Sequence, residues 1–235
     1  MRAVLLAGGL GTRLRPYTTI VPKPLVPVGD RPIMELIVRR LAAAGVQTVD
    51  VCTGHLGELI RVYFSEGTTL PEGIELRWHS EDEPLGTAGA LRVVPDLDET
   101  FLAMNGDVLT TLDFIALLDH HRAAGAALTV SMRAQEVPID LGVIETSDEG
   151  LVTGWSEKPR LSYDVSMGVY AYEPRALGHL PSGACSLPEL VERLLAAGEP
   201  VAAFRSDAEW FDIGTFTEYE RAVEEIERRP GLFDA

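Results

Sequence analysis

The chain has 235 residues, 46% hydrophobic and 24% charged, with 36 acidic against 20 basic side chains and a formal net charge of -16. That length buries a core readily, and so acidic a balance argues against nucleic acid as a partner, because no run of the sequence supplies a basic face. Cys52 and Cys185 stand far apart without metal-ligand spacing and read as reduced thiols of a cytoplasmic protein, and the apolar stretch AVLLA is too short for a signal peptide or a membrane span.

In chain order, AVLLA at 3 to 7 is a continuous apolar run closed by Gly8 and Gly9, the pattern of a strand buried on both faces of a parallel sheet. After a loop, Asp30 and Pro32 supply helix-start chemistry, and Ile33, Leu36, Ile37 and Leu41 recur at helical spacing until Gly45. TVDVCTG, LGELIRVYF and IELRWHS read as strand, helix and strand, an alternation that predicts parallel β-α-β units. EPLGTAGALRVV leads through a short helix, with Thr87 as its N-cap, to TFLAMNGDVL, a strand ending in an acidic residue where open α/β sheets bind ligands. A helix at about 112 to 124 precedes strand-rich sequence: ALTVSMR, LGVIETS, the turn DEG, LVTGWSEKP and VSMGVYAYEP, read as antiparallel additions covering the first half. Helices at about 186 to 197 and 215 to 229 finish the chain. Nothing linker-like or repeated divides it, so residues 1–235 read as a single domain, and no hexapeptide run announces a C-terminal β-helix domain. The fold expected is α/β, with a Rossmann-like, mixed but mostly parallel sheet flanked by helices and an antiparallel extension.

Glycines directly after a buried strand adopt backbone conformations closed to other residues and expose amide N–H groups that can hold phosphate oxygens. The dinucleotide fingerprint is excluded, since Leu14 stands where its third glycine belongs, and the Gly-Lys-Ser/Thr of the common ATPase loop is absent. Glycine spacing by itself leaves open both a phosphate cradle and a plain structural turn. Asp107 ends an apolar strand, where a carboxylate can hold Mg²⁺. Asp212, before a glycine and a helix, reads alone as a turn or helix-start residue. His120 and His121 read as a solvated helix face, and the three tryptophans as core more than ligand platform.

The string LAGGLGTRLRPYT with PKPL resembles the signature of the sugar-1-phosphate nucleotidyltransferases, the nucleotide-sugar pyrophosphorylases, and the resemblance runs from Met1 to about Tyr219. It implies that Leu6, Ala7, Gly8, Gly9, Gly11 and Thr12 lie along a nucleoside triphosphate, that Arg13 clamps the phosphates leaving as pyrophosphate, and that Lys23 neutralises phosphate charge. It implies Asp107 and Asp212 as the ligands of Mg²⁺, with Asp107 also on the nucleotide side. EDEPLGTAGAL resembles the guanylyltransferase branch, whose usual acceptor is mannose 1-phosphate, and puts Pro84, Gly86, Thr87 and Ala88 against base and ribose; thymidylyl- and uridylyltransferases share the scaffold. WSEKP is similar to the sugar-phosphate motif, with Glu157 on sugar hydroxyls and Lys158 on the sugar phosphate as a third catalytic cation. Gly106, Gly142, Ser166 and Gly168 complete the implied sugar pocket; Leu141 departs from the aromatic and Ser166 from the Asn often found at those positions. The activity expected is transfer of a nucleotidyl group, GTP favoured, to a hexose- or heptose-type sugar 1-phosphate, in a protein with neither nucleic-acid nor membrane partners that could form a homo-oligomer. A non-catalytic nucleotide-sugar sensor has no need for leaving-group cations, and a glycosyltransferase would carry Asp-x-Asp where this chain has NGD.

Overall fold

A computed structural model describes residues 1–9, 11–14, 16–54, 56–66, 70–81 and 83–233. Leu10 and Arg15 of the opening string, and Asp82 of EDEPLG, lie outside the described residues. The first half runs β1 (Arg2–Ala7), β2 (Pro27–Val28), β3 (Arg31–Pro32), α1 (Ile33–Ala43), β4 (Thr48–Thr53), α2 (Gly57–Glu66), β5 (Glu75–Ser80), α3 (Gly86–Gly89), β6 (Phe101–Asn105) and β7 (Val108–Thr110). The second half runs α4 (Phe114–Ala124), β8 (Leu128–Pro138), β9 (Val143–Thr146), β10 (Val152–Ser156), β11 (Arg160–Tyr172), α5 (Leu187–Ala196), β12 (Val201–Arg205), β13 (Trp210–Asp212) and α6 (Phe216–Arg228).

The central sheet has seven strands in the order β12-β8-β11-β6-β1-β4-β5. Among the described residues β11 alone runs against its companions: β1 is parallel to β4 and β6, β4 to β5 and β12 to β8, while β11 is antiparallel to β6 and β8. The continuous apolar run of β1 is explained by its central place. Ala3 and Leu5 enter one core with α1, α2 and α4, and Val4 enters a second core with α5, so both faces are covered. Leu5, Ile33, Ile37 and Leu41 are fully buried or nearly so, each removing apolar surface worth roughly 1.5–3 kcal/mol from water. Helix ends follow local chemistry. Asp113 Oδ1 accepts the N–H groups of Ile115 and Ala116 at the start of α4, Ser186 and Glu189 form a capping box on α5, and Gly125 closes α4 at φ 57°.

Two features differ from the sequence expectation. The second half continues the first edge to edge, through β11, β8 and β12, instead of lying over it, and only the outer ends of β8 and β11 with the β9–β10 hairpin project as an antiparallel extension. β12 and β13 have no counterpart in the expected elements. VAAFR carries two alanines and follows Pro200, so its alternation is faint, and the parallel register from Val201↔Leu128 to Arg205↔Met132 is what makes it a strand. β13 is three residues long and exists by antiparallel pairing with β7.

Candidate active site

The carboxyl ends of β1, β4 and β6 open on a cleft of about 500 Å³ lined by Leu6, Gly8, Gly9, Gly54, Glu81, Pro84, Gly86, Thr87, Ala90, Asn105 and Asp107. Its floor is packed closely at two glycines. A Cβ on Gly8 would stand 2.7 Å from Glu81 Oε1, and one on Gly54 would stand 3.0 Å from Gly8 O. Gly11 takes φ 59°, and its carbonyl accepts both the Thr18 hydroxyl at 2.6 Å and the Leu14 N–H at 3.0 Å, so the loop folds back on itself and leaves Thr12 and Arg13 exposed.

Beyond the loop the charged groups converge. Lys23, only 10% exposed in its side chain, forms an ion pair with Asp107. Asp212 arrives because β13 pairs with β7: Asp212 lies opposite Val108, and Ile213 N–H donates to Asp107 O at 3.0 Å. Gly214 makes room for Arg13, since a Cβ there would lie 2.9 Å from Arg13 Nη2 and 3.2 Å from Asp212 Oδ1. Burial, and then the charge of Asp107, hold the Asp212 carboxyl above the usual carboxylate range, while Lys23 and Arg13 pull it back. Two crowded carboxylates of this kind fit a hard divalent cation that keeps waters and takes its remaining oxygens from phosphate. Among the described residues no group of three or more His, Cys, Asp or Glu side chains forms a complete protein cage for a metal.

The remaining predicted residues fall into four environments. Pro84, Gly86 and Thr87 line the cleft, but Thr87 does not cap the helix it was expected to cap. Gly86 at φ 76° starts α3 one residue earlier, so the Thr87 hydroxyl lies in the first turn and instead accepts the Leu187 N–H of α5 at 3.0 Å. Ala7 and Ala88 turn their side chains into the two cores, and Gly106 packs on the end of β1, its N–H donating to Leu6 O at 2.9 Å. Glu157, Lys158 and Gly142 belong to the projecting hairpin region and do not line the cleft. There the Trp155 indole fills the space over Gly142, 2.6 Å from where a Cβ would sit, and donates to Glu157 Oε2 at 3.3 Å. Lys158 holds φ 46° although a proline follows it, a strained backbone for a residue with a long side chain.

Ser166 and Gly168 sit where the β11 register breaks. The Ser166 hydroxyl lies 3.3 Å from the Tyr170 hydroxyl and accepts the Gly168 N–H at 3.3 Å. Burial pushes the Tyr170 phenol up, with the charges of Asp107 and Asp212 adding to the effect against the Ser166 hydrogen bond, which lowers it. Gly168, at φ 73°, admits the Asn105 carboxamide, 2.8 Å from its would-be Cβ. It is the amide nitrogen that meets Gly168, and Asn105 Oδ1 is buried with no hydrogen-bond partner among the described residues. Asn105, Glu81, Gly54 and Gly214 escaped the sequence reading as site residues, although the first three stand inside the quoted strings TFLAMNGDVL, EDEPLGTAGAL and TVDVCTG. A buried unpaired oxygen or a carboxylate facing a glycine is visible only once the strands are registered.

Cys52 and Cys185 are free and buried, and burial raises both thiols above their ordinary range. No helix of the described residues is long and apolar enough to cross a membrane.

Comparison with known proteins speaks to the family and the fold. A family model described as nucleotidyl transferase matches residues 2–229. The chain is 33% identical over 267 residues to the UTP–glucose-1-phosphate uridylyltransferase of Synechocystis sp., covering 99% of this chain and 68% of that protein. It is 31% identical over 233 residues to the mannose-1-phosphate guanylyltransferase of Mycobacterium tuberculosis, covering 96% and 64%. The chain thus spans about two thirds of the length of these curated relatives. Among solved structures, HddC from Yersinia pseudotuberculosis has the same fold, with a TM-score of 0.73 at 24% identity over 96% of this chain and 99% of that one.

Proposed function

The chain belongs to the nucleotidyl transferase family, and on that premise we propose that it joins a nucleoside triphosphate to a hexose- or heptose-type sugar 1-phosphate and releases pyrophosphate. The observation that carries the reading is the meeting of Arg13, Lys23, Asp107 and Asp212 beside a glycine loop at the carboxyl ends of β1 and β6. An oxygen of the sugar phosphate attacks the α-phosphorus in line; one P–O bond forms, the bond to the bridging oxygen of the β-phosphate breaks, and pyrophosphate leaves. The attacking oxygen is already anionic at neutral pH, so no general base is required.

What the reaction needs is charge control. Two unit anions about 4 Å apart repel by roughly 4 kcal/mol at an effective dielectric of about 20. The Arg13 fork suits the oxygens of the leaving β- and γ-phosphates, and Lys23, held in place by Asp107, lies where it can offset charge on the same chain of phosphates. Lys158 holds the acceptor phosphate from the hairpin side, with Glu157 on the sugar hydroxyls. Mg²⁺ held by Asp107 and Asp212 would supply the remaining neutralisation of the triphosphate. Asn105 lines the cleft with its Oδ1 buried and unpartnered among the described residues, and a turn of its carboxamide would offer that oxygen to a substrate hydroxyl.

GTP is the favoured donor. The Glu81 carboxylate faces the cleft beside Gly8 while its other oxygen accepts the Leu85 N–H at 3.0 Å. A carboxylate only accepts, which suits the adjacent N1–H and N2–H donors of guanine; the single N–H of uracil is flanked by two carbonyl oxygens that a carboxylate repels. The name of the Synechocystis relative raises the competing reading, a UTP donor. Pyrophosphate release measured over a matrix of nucleoside triphosphates and sugar 1-phosphates tests both. GTP turnover well above UTP turnover supports the assignment, the reverse order replaces it, and nucleotide binding without pyrophosphate release would make the protein a sensor. The buried free thiols support a reducing, cytoplasmic setting.

A further inference from the structure

The segment proposed to hold the base cannot keep its shape alone. α3 has four residues and no side-chain cap, far short of the length at which an isolated helix persists. Its support comes from a stretch 100 residues downstream. Cys185 N–H donates to Leu85 O at 2.8 Å, and Cys185 O accepts from Ala88 N–H at 3.0 Å and Gly89 N–H at 2.9 Å. Leu187 N–H then donates to Thr87 Oγ1 at 3.0 Å. The two backbones are in direct contact, since a Cβ on Gly86 would lie 2.6 Å from Cys185 O. Among the described residues the hydrogen bonds from α3 to other elements therefore end on residues 185–187, which form the entry to α5.

That entry is itself held rigidly. Ser186 N–H and Oγ–H both donate to Glu189 Oε2, at 2.6 and 2.7 Å, and Glu189 N–H donates back to Ser186 Oγ at 3.4 Å. Neither side chain lines the cleft. We propose that the capping box of α5 is the positioning device for the nucleotide segment, with Ser186 and Glu189 acting through Cys185 and Leu187 on Gly86–Gly89, so that donor-nucleotide affinity depends on them. This inference rests on the reading that the cleft takes a nucleoside triphosphate. The base is held alike before and during the chemical step, so the effect falls on donor KM and spares kcat.

The test is steady-state kinetics, with GTP and the sugar 1-phosphate that the unaltered protein turns over, on Ser186→Ala, Ser186→Thr and Glu189→Ala, each with a thermal melt. Loss of the cap in Ser186→Ala raises the KM for GTP roughly fivefold, with kcat and acceptor KM unchanged within about twofold, and Ser186→Thr restores it. A role confined to helix stability would lower the melting temperature and leave the KM for GTP where it was, and that result overturns the proposal. An equal rise in both KM values overturns it too. Should Ser186→Ala fail to fold, Glu189→Ala carries the same comparison, because it keeps the bond-accepting hydroxyl of Ser186 and removes only the reciprocal half. If the unaltered protein neither binds nor turns over any nucleoside triphosphate, the functional reading falls and this inference falls with it; donor binding with an unmoved KM in the variants removes the inference alone.

Discussion

The glycine loop and the segments around it press backbone against backbone, Gly8 on Gly54 and Gly86 on Cys185, whereas the β9–β10 hairpin stands clear of the sheet with Trp155 65% and Leu141 73% exposed. The first region takes its geometry from the strand ends of a closed core, where Gly54 against Gly8 and Gly86 against Cys185 leave no easy room for a side chain. The second takes its geometry from hairpin pairing and a few exposed contacts such as Trp155 Nε1 to Glu157. On the proposed function the packed side holds the nucleotide and the projecting side, with Leu141 and Ser166, meets the acceptor, so the two halves of the substrate would rest on backbones held with very different tightness.

Substitutions can break this contrast. The largest effect belongs to the carboxylate pair: Asp107→Ala or Asp212→Ala lowers turnover in Mg²⁺ by roughly 10³ with circular dichroism unchanged, the scale of removing a principal electrostatic stabiliser. Near-normal rates for either variant would remove that residue from the metal site. Next, Arg13→Lys keeps the charge but loses the planar fork, and kcat falls about 10²-fold, read in the pyrophosphate-release assay; an effect on acceptor KM alone would contradict the leaving-group role. On the exposed side, Lys158→Ala raises the acceptor KM about tenfold and leaves the KM for GTP in place, and a matching shift in both would erase the distinction between the two regions. Asn105→Ala bridges the two, costing a single hydrogen bond to a buried acceptor, about fivefold in kcat/KM.

The smallest effect is one of stability. Because the Asp212 carboxyl titrates above its ordinary range, native protein retains this group's full contribution below the unfolded-state pKa near 4 and loses it as pH rises through the native value. Asp212→Asn is permanently neutral. In chelator at neutral pH it melts higher than the unaltered protein, and the difference vanishes on acidification below about pH 4. A lower melting temperature at neutral pH would mean that the Asp212 charge is stabilised in the fold by Arg13 and Lys23 more than burial and Asp107 oppose it.

The linear chain determined the elements whose signals are local. The buried β1 run with its glycines, the apolar face of α1 up to Gly45 and the helices at 114–124, 187–196 and 216–228 follow from periodicity and cap residues that neighbours in sequence supply. The opening string and the later motifs were legible for the same reason, since each is contiguous. Tertiary structure alone decided what depends on pairing between distant segments. β13 exists because β7 is beside it, and that pairing sets Asp212 beside Asp107; Thr87 accepts an N–H at the start of α5 instead of capping α3; Asn105 packs its amide nitrogen against Gly168 and is left with an unpaired oxygen among the described residues. A three-residue strand has no periodicity to read and a hydroxyl no fixed partner in sequence, so only the packed sheet, which fixes register across some hundred residues, could assign them.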